Sequence, residues 1–156
     1  MARGRPSGEV RPMTDVTIRP ATGADVARLA FLRYEFRRIR APAAESEQEF
    51  CARCDAWMRE RLGNGQWCCW VAERENVVIG NVWVSLMEKM PNPVVEPEEH
   101  AYITNFFVLE EARGEGIGSR ILDAALAWCA SRGVHAAILW PTDRGRPLYE
   151  RHGFSA

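Results

Sequence analysis

The sequence predicts an α/β fold on one mixed sheet, and three observations carry that prediction. At 156 residues the chain suits a single domain, long enough to bury about two thirds of the surface its unfolded form exposes. Runs of β-branched and aromatic residues alternate with stretches of helical periodicity in the order β-αα-βββ-α-β-α. A strand-helix-strand crossover near the end requires part of the sheet to be parallel.

The elements follow in chain order. Residues 1–13 are rich in Arg, Gly and Pro, carry almost no apolar side chains, and read as a disordered tail ahead of one domain over 14–156. Val16 to Arg19 reads as a strand ended by Pro20. Thr22 then caps a helix with Val26, Leu29, Phe36 and Ile39 on one side. A second helix, about Glu45 to Leu62, places Phe50, Cys54, Trp57 and Met58 together and stops at Gly63-Asn64-Gly65. Trp67 to Arg74 and Val77 to Met90 form a hairpin around Glu75-Asn76. Three prolines, Pro91, Pro93 and Pro97, separate this hairpin from a strand His100 to Leu109. A helix Ile117 to Arg132, inward-facing at Ile121, Leu122, Ala125, Trp128 and Cys129, ends at Gly133. An apolar strand, Val134 to Trp140, and a short helix, Gly145 to His152, complete the order.

Composition excludes several function classes. Twenty basic against 21 acidic residues give a net charge of -1, so no overall field attracts nucleic acid or a membrane surface. No apolar run reaches the roughly 18 residues of a spanning helix, and no secretory stretch opens the chain, which reads as cytosolic. Five cysteines, an odd number, fit reduced thiols better than a disulfide framework. Cys51 and Cys54 have no second ligand pair at matching spacing, so core packing is expected there and no metal.

The chemistry concentrates after the strand Tyr102-Ile-Thr-Asn-Phe-Phe-Val108. Gly114, Gly116 and Gly118 lead into a helix start, where unpaired N–H groups and the positive dipole end favour phosphate. Arg113 adds a multi-donor cation suited to a pyrophosphate. No Lys follows these glycines, which excludes a P-loop, and no early βαβ unit surrounds them, which argues against a dinucleotide fingerprint.

Arg113-x-x-Gly116-x-Gly118 resembles the acetyl-CoA motif of the GNAT superfamily of N-acetyltransferases. Leu148-Tyr149-Glu150 followed by Gly153-Phe154 is similar to the ending of that family, and the element order agrees over about residues 15–154. The resemblance implies a β-bulge near Phe106 to Val108 that splays this strand from Val134 to Trp140. The pantetheine arm of acetyl-CoA would lie in that gap, against Phe106, Phe107 and Val108, with the pyrophosphate on Arg113, Gly114, Glu115, Gly116, Ile117, Gly118 and Ser119.

The implied reaction moves an acetyl group to a primary amine of a small molecule or peptide, by direct attack through a tetrahedral intermediate. Tyr149 matches the general acid of the family. An acceptor for the amine proton is open between Glu88 and His100, because the expected strand positions carry Tyr102 and Thr104, which with Trp83 are candidates for substrate contact. Thr142 stands where the family often has Asn and offers its hydroxyl to the pantetheine arm. Strands that the family adds after Gly-Phe are short or missing. A homodimer partner could supply that wall, and a non-catalytic acyl-CoA-binding module or an assembly subunit stays open. The acidic excess between Glu88 and Glu99 favours a cationic amine or is a solvated loop. The arginines Arg28, Arg33, Arg37, Arg38 and Arg40 either form a solvated face or meet an anionic acceptor group.

Overall fold

The computed structural model describes residues 15–156, so the expected tail over residues 1–13 lies outside the described residues. Five strands form one sheet in chain order: β1 (Val16–Pro20), β2 (Trp67–Arg74), β3 (Val77–Glu88), β4 (Glu99–Val108) and β5 (Ala136–Leu139). The first four are antiparallel and β5 joins β4 in parallel, the mixed sheet that the crossover requires. Glu75 and Asn76 close the β2–β3 hairpin with φ of 51° and 62°, the left-handed pair that matches strand twist.

Four helices cover the two faces. Helices α1 (Val26–Arg38) and α2 (Glu47–Leu62) pack on one, and α3 (Ile117–Arg132) and α4 (Arg146–Arg151) on the other. A 3-10 turn, Gly23–Asp25, precedes α1. The start of α2 is set by Ser46, whose Oγ accepts the Glu49 N–H while the Glu49 carboxylate accepts the Ser46 N–H. Gly133, left-handed at φ 67°, terminates α3 at the predicted residue.

Each face has its own core. Val82, Val84, Ala101 and Ile103 meet Ile117, Ile121, Leu122 and Ala125 beneath α3. Val71, Val78, Trp83 and Phe107 meet Val26, Leu29, Leu32 and Met58 beneath α1 and α2. Asp25 ties the turn before α1 to the sheet, because Arg19 donates to both its carboxylate oxygens at 2.8 and 2.9 Å and to Glu73 at 2.5 Å.

Three expectations need correction. Ile39 lies beyond the end of α1 and is exposed, so the apolar side of this helix ends earlier. The apolar run Val134 to Trp140 gives only a four-residue strand: the Val134 N–H is spent on Cys129 O at the end of α3, and Trp140 projects into solvent. The second hairpin strand stops at Glu88, two residues before Met90.

Candidate active site

The seam between β4 and β5 opens partway along. Parallel pairing runs from His100 opposite Ala136 to Ile103 opposite Leu139 and then ends, leaving residues 104–108 without a strand on that side. On the other side, the β3–β4 register passes from Trp83 opposite Thr104 to Asn81 opposite Phe107, so Asn105 and Phe106 together face Val82. This is a β-bulge, placed one residue earlier than the expected span of 106–108. Asn105 takes φ 52° there, a conformation that asparagine tolerates better than most side chains.

Two polar residues hold the bulge. The Asn105 side chain donates to Asn81 Oδ1 at 3.4 Å and accepts from Arg33 Nη1 at 3.2 Å. Asn81 is buried, and its own Nδ2 has no hydrogen-bond partner among the described residues. Sequence reading passed over both asparagines, although Asn is depleted in strand interiors and two of them in facing strands were a signal.

The glycine-rich turn lies just beyond. The N–H groups of Ile117, Gly118 and Ser119 precede the first helical bond of α3, from Arg120 N to Gly116 O, and so have no acceptor within the helix. Gly116 caps the helix in the left-handed region at φ 75°. A Cβ on Gly118 would stand 3.2 Å from Phe106 Cζ, so glycine there lets the bulge and the helix start approach each other. Glu115 receives Arg74 at 2.9 and 3.3 Å, which fastens the turn to β2. Arg113 donates Nε to Val108 O at 2.9 Å and lies over the Phe107 ring.

Helix α4 brings Tyr149 to the same place. Its ring centre is 5.9 Å from that of Phe106 and 6.0 Å from that of Phe154. Among the described residues the hydroxyl meets no hydrogen-bonding partner, and burial raises the phenol pKa above its usual value. Thr142 Oγ1 accepts the Gly145 N–H at 3.1 Å and so sets the turn into α4; its own hydroxyl proton is left to donate. His152, which sequence reading did not single out, joins the two helices: Nδ1 donates to Leu148 O, and Nε2 lies 3.2 Å from Ser119 Oγ and 3.0 Å from Asp123.

Other predicted residues fall elsewhere. Tyr102 and Thr104 lie on the β4 face toward α1 and α2, at the edge of the opening. Trp83 is 2% exposed and packs against Trp57 and Trp67. Glu88 and His100 stand near the far end of the strand pair, opposite Glu99 and Met87. His100 is six residues before Phe106, about 20 Å at strand spacing. The structure does not bring either group to the opening. Among the described residues no cluster suits a metal ion, and no helix is long and apolar enough to cross a membrane.

Known proteins resemble this chain in sequence and in fold. An uncharacterized N-acetyltransferase of Bacillus subtilis, YhfO, is 27% identical over 143 residues, covering 89% of each chain. A GCN5-related N-acetyltransferase from Ralstonia eutropha superposes with a TM-score of 0.75 at 27% identity, over 90% of this chain and 93% of that one. The fold also matches a predicted acetyltransferase from Clostridium acetobutylicum solved with acetyl-CoA, at a TM-score of 0.77 and 24% identity over 90% of each chain. The family model described as acetyltransferase (GNAT) family matches residues 31–154, from α1 to the residue after Gly153, and the chain belongs to this family.

Proposed function

We propose that the protein is an acetyl-CoA-dependent N-acetyltransferase acting on a primary amine. One observation carries this reading: the β4–β5 seam opens at Ile103 and Leu139, one bulge away from a helix start whose first N–H groups have no acceptor within the helix. The residues fit the cofactor. Free strand edge at 104–108 suits the amides of a pantetheine arm, and the N–H groups of residues 117–119 suit a pyrophosphate, with Arg113 beside them. The thioester of acetyl-CoA supplies an activated acetyl group.

The chain does the rest. The bulge fixes where an amine meets the acyl group, and such orientation removes much of the entropic cost of a two-substrate reaction. A backbone N–H near Val108 stabilises negative charge on the carbonyl oxygen. Tyr149, protonated at neutral pH and without a hydrogen-bond partner among the described residues, gives its proton to the departing sulfur. Neither Glu88 nor His100 is used, and solvent at the opening takes the proton of the amine.

Calorimetric titration of acetyl-CoA into the protein tests the reading. Saturable one-to-one binding, lost in an Arg113→Ala, Gly116→Trp variant, is the expected result. Absence of binding by the folded wild-type protein would overturn it and favour an assembly role. Binding without coenzyme A release from any amine would leave an acyl-CoA-binding module.

A further inference from the structure

The arginine-rich first helix resolves into unequal parts. Arg28 donates to Val78 O, Arg38 pairs with Glu35, and Arg40 lies over the Phe36 ring at the surface. Arg33 differs from all of them. It is partly buried, on the side of α1 that faces the β4 bulge; its guanidinium lies 5.9 Å from the Phe36 ring centre, and among the described residues its hydrogen bond goes to the neutral side chain of Asn105. Among the described residues no carboxylate pairs with it.

A guanidinium has five N–H donors and is costly to bury without a counter-charge. Burial first, then the nearby Arg37 charge, pull the Arg33 pKa below its ordinary value, while Cys54 and Tyr102 act the other way. The group is thus a partly buried cation near Tyr102, on the strand that borders the opening. Arg37, one turn later on the same helix face, is exposed and has no ion-pair partner among the described residues. It lines a surface cavity of about 210 Å³ with Tyr34, Arg38, Glu45 and Phe50, one helical turn along α1 from Arg33, which is not itself part of the lining.

The rival signal, the acidic run between Glu88 and Glu99, does not face this place. Glu96 is bound by Lys89 and Asn92, and Glu88 and Glu99 stand opposite each other at the far end of β3 and β4.

We propose that Arg33, reinforced by Arg37, receives an anionic group of the acceptor, so that the substrates are small amines carrying a carboxylate or a phosphate. This inference rests on the acetyltransferase reading. The Arg33–Asn105 bond ties the anion site to the bulge, so that a bound anion also fixes the distance of its amine from the acyl group.

The test compares matched amines in a coenzyme A release assay: α-amino acids against their amides, and phosphoethanolamine against ethanolamine. The anionic member of at least one pair is expected to show kcat/KM about 10- to 100-fold higher, the value of a charge-assisted contact. The pair that responds tells carboxylate from phosphate. In Arg33→Gln that ratio collapses toward one, chiefly through KM. Arg37→Gln, on the surface and safe for folding, lowers it less and in a salt-dependent way.

Equal turnover of both members of every pair overturns the inference and leaves the acetyltransferase reading standing. Failure of every anionic amine to react or to bind the protein–acetyl-CoA complex by calorimetry overturns it likewise. A protein that does not bind acetyl-CoA at all removes both.

Discussion

Replacing Tyr149 by phenylalanine separates chemistry from packing. The ring sits 5.9 Å from Phe106 and 6.0 Å from Phe154, contacts that phenylalanine keeps, and no internal hydrogen bond is lost with the hydroxyl. Stability should therefore change by no more than about 0.5 kcal/mol. A positioned proton donor contributes about 10²- to 10⁴-fold, so kcat should fall by that factor, or about 2.7–5.4 kcal/mol of barrier. Because burial raises the phenol pKa above its usual 10, the wild-type protein should show no alkaline loss of rate from this group below about pH 10. Initial rates of coenzyme A release at saturating acetyl-CoA, with thermal melting of both proteins, make the measurement. If Tyr149→Phe keeps more than about a third of kcat at an unchanged melting point, Tyr149 is only a wall of the site.

Other perturbations report on separate features. Gly118→Leu drives a side chain into Phe106 and should weaken acetyl-CoA binding by about 10- to 100-fold in calorimetry, through loss of the N–H contacts at the helix start. Arg19 above all holds the Asp25 carboxyl below the usual carboxylate range. A depressed carboxylate stabilises the fold above its unfolded pKa of about 3.9, and that contribution is lost as pH falls through the lower folded value. Asp25→Asn should thus cost about 1–3 kcal/mol by urea unfolding at pH 7, and the gap should narrow as pH falls below about 3.9 and through the lower folded value. Burial pushes the Cys68 thiol up to about 11, and Cys69 is raised well above its usual value. Both should react with a disulfide reagent at pH 7.5 far more slowly than after unfolding, and rapid labelling of the native protein would contradict the packing described.

Much of the fold was legible because local signals agreed with tertiary ones. Ile117 and Gly133 bound α3 as expected, since a left-handed glycine marks each end. The β5 run was overread because an apolar composition suggests a buried strand, whereas none of residues 134–140 is buried and the splay of the sheet leaves only four of them with a strand partner. The glycine-rich turn could be read from three glycines and an arginine, but the residues that shape the bulge could not. Asn81, Asn105 and Arg33 come from β3, β4 and α1, and nothing in the spacing of Arg33 from its helical neighbours distinguishes it from a solvated cation. Its contact with Asn105 spans 72 positions of sequence, beyond the reach of any periodicity.

The partial joining of β5 also bears on how the chain assembles. The β2–β3 hairpin closes across two residues and loses little chain entropy, whereas β5 must return across the whole of α3 to make four parallel pairs. The hairpin is thus the natural nucleus, and docking of β5 and α4 is a late event. Substitutions in β5 and α4 should then speed unfolding while leaving the refolding rate nearly unchanged. Sequence change on this wall of the opening would shorten the life of the native state without obstructing its formation.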